Sequence, residues 1–259
     1  MDARAGAIAH WSGRPCGSEA GVGSEEGSPE FFDLTDQNRY GRYAPWLLRT
    51  LRPDRFAGSE VLEIGCGMGA DLQQLASAGA HVAAVDLVPR HLELTRRRFE
   101  LAGLRARLAR ADAERLPYEG ASFDVVYSFG VIMCTADMRA AVREIRRVLR
   151  PGGMAIIAVY NLLSVNLALT ILALWQEKHL FREPLRVSLA RIEGASGPNV
   201  PLVRTLTAWQ LRRLLRGFDS VEIQTRHVAW TGRRRPPFRS WIERHMGWYL
   251  WAECRVGPI

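Results

Sequence analysis

The chain has 259 residues, 47% of them hydrophobic and 9% aromatic, which favours one packed globular domain over a disordered segment. Its four cysteines are scattered, without the spacing of a zinc site or a disulfide framework, so we expect no metal site, reduced thiols and a cytoplasmic location. We expect no signal peptide, because the N-terminal region contains no long apolar run.

The formal net charge of +8 raises the question of nucleic-acid binding. Of the 35 basic residues only Lys178 is a lysine, and the arginines fall on nearly every predicted helix. Such a preference for arginine over lysine is typical of a coding bias. The arginines form no basic strip interleaved with aromatic residues. We therefore expect that the basic charge does not serve a nucleic acid.

Residues 1–29 are small, polar and glycine-rich, which predicts a flexible N-terminal extension ahead of a domain over residues 30–259. Trp11 and the run Pro15–Gly17 stand out within it. Two interpretations stay open: a tether that packs one tryptophan on the domain, or a lid over the active site. The pattern from Asp36 to Leu51 predicts a helix before the first strand.

A glycine-rich turn follows that strand. Val61–Ile64 has strand character, the run Gly65–Gly69 (GCGMG) has alternating glycines, and a helix-like segment covers Ala70–Ala78. A strand, a tight turn and a helix N-terminus let the backbone approach a nucleotide-like ligand closely. The spacing is G-x-G-x-G, not the G-x-G-x-x-G of dinucleotide enzymes, and Glu63 stands two residues before the first glycine.

Acidic residues end the next predicted strands. Asp86 closes a strand over His81–Asp86, 23 residues after Glu63, where a carboxylate can accept both hydrogen bonds of a ribose diol. Asp112 follows another strand in the same way. The alternation of strands and helices predicts a parallel sheet with helices on both faces. The remaining elements are a helix over Pro89–Ala102, strands over Ala106–Ala111 and Phe123–Ser128, a helix over Ala136–Leu149 and a strand over Met154–Tyr160.

Four motifs in order resemble one enzyme family. The run from Glu63 resembles motif I, E-x-G-x-G-x-G, of class I S-adenosylmethionine (SAM) methyltransferases. The runs Ala111–Pro117 and Ser122–Val126 resemble its D-A-E-x-L-P…S-F-D-V-V segment, and Glu144–Gly153 resembles the helix and turn before its fifth strand. Together they are similar to the UbiE/Coq5-like "type 11" methyltransferases, a branch that is chemically diverse.

The resemblance implies an α/β, Rossmann-like, doubly wound and mostly parallel seven-stranded sheet, with an antiparallel edge hairpin and an inserted C-terminal cap segment. It implies SAM as the cofactor and S-adenosylhomocysteine (SAH) as its product. Glu63 would meet the methionine ammonium, Asp86 the ribose and Asp112 the adenine edge. The cofactor-binding residues implied in this way are Glu63, Gly65, Cys66, Gly67, Asp86, Leu87, Asp112, Ala113 and Ser128.

The family diverges in its C-terminal third, where residues 162–205 are predicted to be an insertion. Its first part, Leu162–Gln176, is apolar but too short to span a bilayer. We predict a buried or pocket-lining helix, with a membrane-surface helix as the alternative. The basic run Arg233–Pro237 is interpreted as a solvated loop. Further elements are a helix over Ala208–Arg216 capped by Thr207, and two strands over Ser220–Val228 and Trp248–Val256, antiparallel in the family.

The catalytic group is not identified from the sequence. Many relatives carry a His-His pair after the fourth strand, where this chain has the apolar run Gly130–Cys134. The candidates for a catalytic role are Tyr40, Tyr160, Asn161 and His227. The predicted acceptor pocket contains Tyr40, Met133, Cys134, Tyr160 and Asn161.

The function indicated is SAM-dependent methyl transfer to a small or lipid-like acceptor, by O- or N-methylation. Three alternatives stay open: C-methylation of a quinone-type ring, methylation of RNA or protein, and a non-catalytic SAM-binding regulatory protein, which the missing histidine pair supports. No transmembrane segment is expected, peripheral membrane contact is an alternative for the apolar helix, and the oligomeric state is left open.

Overall fold

A computed structural model of the chain describes residues 3–178, 185–193, 200–228 and 238–258. Within these ranges the strands are β1 (Glu60–Ile64), β2 (His81–Asp86), β3 (Arg107–Arg110), β4 (Phe123–Phe129), β5 (Leu149–Tyr160), β6 (Ser220–Arg226) and β7 (Tyr249–Arg255). They form one seven-stranded sheet in the order β3-β2-β1-β4-β5-β7-β6.

Helices precede, connect and follow these strands. In the described ranges they are α1 (Ala3–Gly13), α2 (Pro29–Gln37), α3 (Leu47–Leu51), α4 (Ala70–Ser77), α5 (Pro89–Leu101), α6 (Met138–Val148), α7 (Val165–Gln176), α8 (Leu185–Ala190), α9 (Ala208–Leu214) and α10 (Arg239–Met246). Short 3-10 segments cover Ser18–Gly21, Pro53–Phe56, Ile132–Cys134 and Arg191–Glu193, and a π-helical turn covers Asn38–Tyr43.

The sheet has the predicted topology. Strands β1 to β5 pair in parallel, and β7 runs antiparallel to both β5 and β6. The Rossmann-like, doubly wound sheet with an antiparallel edge is therefore confirmed. The strand order reverses between β1 and β4, which opens a crevice beyond the carboxyl ends of these strands.

Alternate residues along each strand pack on opposite faces of the sheet, because side chains in a strand have a period of two. One face packs mainly against α6 and α9, and the other against α3, α4 and α5. The first core contains Leu62, Ile64, Val126, Ala155, Ile157, Ile145 and Leu211. The second contains Val61, Val82, Val125, Tyr127, Ile156, Leu51, Leu72 and Phe99.

The single helix predicted over Asp36–Leu51 is wrong. Helix α2 begins earlier, where the Ser28 hydroxyl accepts a hydrogen bond of 3.1 Å from the backbone N–H of Phe31. It continues as the π-helical turn, and the backbone leaves the helical region at Ala44, with φ −139°. Pro45 explains the break, because a proline disfavours helical geometry at the preceding residue and has no N–H to donate.

Strand β5 begins at Leu149 rather than at the predicted Met154. Its pairing with β4 continues through an irregularity in register between Phe123 and Val125, so the predicted turn at Pro151–Gly153 lies inside the strand. The other predicted strands of the sheet end within two residues of their observed positions.

Helix α1 lies within the segment for which composition predicts a flexible extension. Its packing is close, because a Cβ at Gly6 would come within 2.8 Å of the carbonyl oxygen of Val200. The His10 Nε2 lies 3.2 Å from the carbonyl oxygen of Glu193. Alanine-rich helices are intrinsically favourable, and these contacts hold α1 against the insertion.

Helix α7 forms where the apolar run predicts a helix, and the Ser164 hydroxyl caps it by accepting from the Leu167 N–H at 3.1 Å. Leu167 and Leu174 are buried, whereas Leu169 and Trp175 are exposed. Within the ranges described, no helix combines the length and apolar character that crossing a membrane requires. The predicted loop at Arg233–Pro237 lies outside the described residues.

Candidate functional site

The glycine turn between β1 and α4 opens onto a cavity. Gly65 and Gly67 have φ angles of +74° and +54°, a region that side chains with a Cβ rarely adopt. A Cβ at Gly65 would approach a methyl carbon of Val131 to 2.3 Å, whereas a Cβ at Gly67 would meet nothing within 4 Å. Gly65 therefore allows close packing, and Gly67 leaves free space beside its Cα that a ligand can occupy.

The cavity has a volume of about 250 Å³ and lies beyond the carboxyl ends of the five parallel strands β1 to β5. Most of the predicted cofactor residues line it: Glu63, Gly65, Cys66, Gly67, Asp86, Leu87, Asp112 and Ala113. Two predicted acceptor residues, Cys134 and Tyr160, line it as well. Parallel strands end at the same edge of the sheet. The residues at and after these ends therefore come together at the cavity.

Asp86 is held at the end of β2 by backbone groups. Its carboxylate accepts hydrogen bonds from the N–H groups of Gly67 (3.0 Å) and Val88 (2.9 Å). The His91 Nδ1 lies 3.1 Å from its Oδ2. A carboxylate has about four acceptor positions. Asp86 therefore retains capacity for a ligand diol while it fixes the glycine turn.

Glu63 is buried at the end of β1, and its Oε2 has no hydrogen-bond partner within the described structure. Burial, and then the charge on Asp71, raise the pKa of this carboxyl well above its ordinary value. A buried carboxylate oxygen without a partner is unfavourable until a donor or a cation reaches it. An ammonium group from a ligand would satisfy the Glu63 Oε2 and, with the free space at Gly67, these residues fit the methionine end of SAM.

An ion pair that the sequence did not reveal lies beside Glu63, with the Asp71 carboxylate buried and 22% of the Arg39 side chain exposed. Arg39, from the π-helical turn, donates both Nε (2.7 Å to Oδ1) and an amino group to the Asp71 carboxylate in α4. The hydroxyls of Tyr40 (2.9 Å) and Tyr127 (2.7 Å) donate to the same carboxylate. Although burial alone would raise it, Arg39 holds the pKa of Asp71 below its ordinary value. The pair connects the N-terminal segment to the helix that follows the glycine turn.

Asp112 follows β3 and lines the cavity. Its Oδ1 accepts a hydrogen bond of 2.9 Å from the Glu114 N–H, and its Oδ2 forms an ion pair with Arg4 of α1. Arg4 also pairs with Glu114 at 2.9 Å. The first turn of α1 is thus attached to the loop expected to contact adenine.

The side of the cavity where the acceptor is expected is aromatic, and it includes a carboxylate that the sequence did not indicate. The Tyr160 hydroxyl donates to Glu193 Oε1 at 2.6 Å and lies 3.3 Å from the Tyr43 hydroxyl. Trp11 and Cys16 of the N-terminal segment complete this side. We define the acceptor wall as Trp11, Cys16, Tyr43, Phe129, Cys134, Tyr160 and Glu193.

Two predicted acceptor or catalytic residues, Tyr40 and Asn161, are already hydrogen-bonded and do not line the cavity. Tyr40 donates to Asp71, and it does not line the cavity. The Asn161 amide donates to the Gly247 carbonyl at 2.9 Å and accepts from the Leu163 N–H at 3.0 Å. These contacts give both residues a structural role, so their catalytic roles stay predictions without geometric support.

Met133, Ser128 and His227 also lie outside the lining of the cavity. Met133 is fully buried, with its sulfur 3.2 Å from the Tyr160 N–H. The hydroxyl of Ser128 is buried without a partner in the described structure. His227 follows β6, which is separated from β5 by β7, and burial lowers its pKa. No group of three or more potential metal ligands occurs in the part of the chain that the structure describes.

Comparison with known proteins finds relatives for the region of the chain that contains the glycine turn. A family model described as "Methyltransferase domain" matches residues 62–157. This match agrees with the four sequence motifs, which lie in the same part of the chain and resemble the UbiE/Coq5-like methyltransferases. The match begins within β1 and ends within β5, so it covers the cofactor side of the cavity and stops before the insertion.

Curated relatives align over the same part. A ubiquinone biosynthesis O-methyltransferase of Methylocella silvestris is 37% identical over 120 residues, which cover 46% of this chain and 44% of that protein. A demethylmenaquinone methyltransferase of Clavibacter sepedonicus is 40% identical over 119 residues (45% and 47%). A sterol 4-C-methyltransferase of Caenorhabditis elegans is 34% identical over 107 residues (40% and 31%). The chain thus spans less than half the length of these relatives.

Solved structures share the fold over most of the chain. The [4+2]-cyclase SpnF has a TM-score of 0.57 at 17% identity, covering 99% of this chain and 92% of that one. A possible histamine N-methyltransferase from Thermotoga maritima has a TM-score of 0.52 at 19% identity (85% and 98%). These similarities show the Rossmann-like fold, and the reaction has to be argued from the site itself.

Proposed function

We propose that this chain is a SAM-dependent methyltransferase that methylates oxygen or nitrogen on a small or lipid-like acceptor. The observation that carries the proposal is the buried Glu63, whose Oε2 has no partner in the described structure, beside the unfilled space at Gly67 and within the matched region. A buried carboxylate oxygen without a partner, where the family binds the methionine ammonium, is what a cofactor site requires.

Each residue would have a defined task in the loaded enzyme. Glu63 would bind the ammonium of the cofactor, Asp86 its ribose hydroxyls, and Asp112 with the Ala113 N–H its adenine. SAM supplies a methyl group that its sulfonium already makes electrophilic. The protein then has to orient the acceptor, exclude water and, for a hydroxyl acceptor, remove a proton.

The acceptor wall favours an apolar or aromatic acceptor. It presents rings from Trp11, Tyr43 and Phe129 and only a few polar groups, the usual composition of a small-molecule site. The names of the relatives include both O-methylation in ubiquinone biosynthesis and 4-C-methylation of a sterol. C-methylation of a quinone-type ring is therefore the nearest alternative for this chain.

The proposal extends to the cellular location of the protein and to its contacts with nucleic acid and membranes. We infer a cytoplasmic protein whose basic charge does not serve a nucleic acid. Helix α7 exposes Leu169, Leu172 and Trp175, which supports peripheral contact with a membrane that holds a lipid-like acceptor.

A labelling experiment tests the proposed function. Calorimetry with SAH first measures cofactor binding, and methyl-labelled SAM is then incubated with the protein and separate fractions of lipids, polar metabolites, RNA and proteins. We expect SAH binding and label in a lipid or small-molecule product. Label in RNA or protein would favour that alternative, whereas SAH binding without any labelled product would favour a regulatory SAM-binding protein.

A further inference from the structure

Glu193 is the last residue of the described stretch 185–193 of the insertion and lines the cavity on its acceptor side. Its Oε1 accepts the hydrogen bond from Tyr160, whose hydroxyl lies 3.3 Å from that of Tyr43. Tyr160 ends β5, directly beside β4, whose carboxyl end borders the cofactor side. One carboxylate and two hydroxyls therefore converge where an acceptor has to lie.

No cation pairs with this carboxylate among the residues that the structure describes. Burial raises the pKa of Glu193, and the hydrogen bond from Tyr160 opposes this effect. The titratable groups that face it are His10 and Cys16 of the N-terminal segment, Tyr43, Cys134, Tyr160 and Tyr249. The thiol of Cys16 is exposed. Burial raises the pKa of the three tyrosines and of Cys134 and lowers that of His10, so these groups favour their neutral forms near neutral pH.

A carboxylate of this kind is stabilised by a ligand that brings a proton or a positive charge. Tyr160 occupies Oε1, and a carboxylate accepts further hydrogen bonds through its second oxygen. We propose that Glu193 is the proton acceptor when the hydroxyl of an acceptor molecule is methylated, and that Tyr160 is its positioning residue. This inference rests on the proposed function and assigns an acceptor class, a hydroxyl compound, to the same site.

The step balances without any other reactant. As the acceptor oxygen forms its bond to the methyl carbon, the electron pair of the carbon–sulfur bond returns to sulfur. The proton of the acceptor hydroxyl moves to the Glu193 carboxylate, which must be ionised beforehand. The products are the methyl ether, SAH and a protonated Glu193 that returns its proton to solvent after release.

A purely structural role is the competing explanation, because the Tyr160–Glu193 hydrogen bond also fastens the insertion to the sheet. Glu193→Gln separates the two roles. Glutamine keeps the length of the side chain and an oxygen that accepts from Tyr160, but it has no charge and no capacity to take a proton. A fastening role therefore predicts that this variant binds cofactor analogues like the wild type.

Sinefungin provides a test that needs no known acceptor. In this SAM analogue a carbon bearing an amine replaces the methylated sulfur, so its positive charge projects to the acceptor side. We expect Glu193→Gln to lower the affinity for sinefungin about tenfold, measured by calorimetry, and to leave SAH affinity within twofold of wild type. An unchanged ratio of sinefungin to SAH affinity would overturn the inference and support the fastening role.

The pH dependence of the wild type gives a second measurement, which stands even if the variant does not fold. Between about pH 5 and pH 7 the amine stays charged, so the sinefungin-to-SAH ratio should rise as Glu193 ionises. Glu63 and Asp86 contact both analogues alike, so their effects cancel in the ratio. A flat wild-type ratio would overturn the inference. Loss of SAH binding by the wild type would instead overturn the proposed function.

Discussion

The cofactor side and the acceptor side of the cavity are built in different ways. The cofactor side comes from one continuous stretch, from Glu63 to Ala113, in which each residue follows the carboxyl end of a parallel strand. The acceptor wall combines Trp11 and Cys16 with Tyr43, Tyr160 and Glu193, so its members come from the N-terminal segment, the sheet and the insertion.

This difference explains why the two sides were not equally predictable. Strands of a doubly wound sheet bring their carboxyl ends together whatever follows them, so local motifs suffice to place cofactor residues. The acceptor wall depends on how α1 and the insertion pack against each other, as in the contact between His10 and the Glu193 carbonyl. The family match, residues 62–157, covers the whole stretch from Glu63 to Ala113 but only Phe129 and Cys134 of the acceptor wall.

The largest effect is expected where the two sides are joined, at the Arg39–Asp71 ion pair. Arg39→Met leaves the Asp71 carboxylate, with 1% of its side chain exposed, buried without a cation. Removal of one partner of such a pair costs about 3 kcal/mol or more. We expect the free energy of unfolding, measured in urea, to fall by about that amount.

Arg90→Met is the matched control, because Arg90 pairs with Glu26 and Glu93 on the surface, where 42% of its side chain is exposed. Its expected cost is below about 1 kcal/mol. Equal effects of the two substitutions would mean that the Arg39–Asp71 pair does not join the two sides. The pKa of Asp71 is lowered in the folded protein, so its ionised form stabilises the fold. This stabilisation is present above about pH 4 and is lost as the pH falls through the lowered pKa.

The cofactor side by itself is tested by Asp86→Ala. The carboxylate holds the Gly67 and Val88 N–H groups and is proposed to accept two hydrogen bonds from ribose. Loss of these charge-assisted bonds should weaken SAH binding by about 2–3 kcal/mol. Calorimetry measures the change, and Asp54→Ala, an exposed acid before β1, should leave the affinity unchanged. Unchanged binding in Asp86→Ala would remove the ribose assignment.

The sequence predicted the sheet because its strands are short, apolar and separated by helices of the right length. The prediction of one helix over Asp36–Leu51 failed at Ala44, where the helix breaks before Pro45. The proline signalled this break in the sequence, but the apolar pattern outweighed it. Arg39 and Glu193 carried no periodic or motif signal, because a lone charge in a helix or an insertion resembles a solvated surface residue. Their importance comes from burial, which long-range packing decides.

A pH dependence distinguishes Glu63 from the acceptor wall. Burial raises its pKa in the free protein, whereas a ligand ammonium favours the ionised form. Binding should therefore release a proton below that raised pKa, and SAH affinity should increase with pH by at most about tenfold per unit until Glu63 is ionised. Calorimetry in buffers of different ionisation enthalpy measures the release.

Glu63→Gln is the control for that measurement, since it preserves the size of the side chain and removes the titration. It should bind SAH more weakly at neutral pH and with no proton release from this position. The same proton release in wild type and variant would assign the linkage to another group and weaken the ammonium assignment.

The smallest effect is expected at the contact between α1 and the adenine loop, which bears on whether the N-terminal segment is a lid. Arg4 pairs with Asp112 and Glu114 but is half exposed, so solvent and salt screen the interaction. If α1 has to move before the cofactor leaves, Arg4→Gln should speed SAH dissociation by about two- to fivefold, with little change in stability. Stopped-flow displacement of a fluorescent SAH analogue measures the rate.

Added salt should accelerate release from the wild type more than from Arg4→Gln, because only the wild type has this ion pair to screen. Equal dissociation rates at every salt concentration would mean that SAH leaves without opening α1, and that Trp11 and Cys16 only pack against the domain.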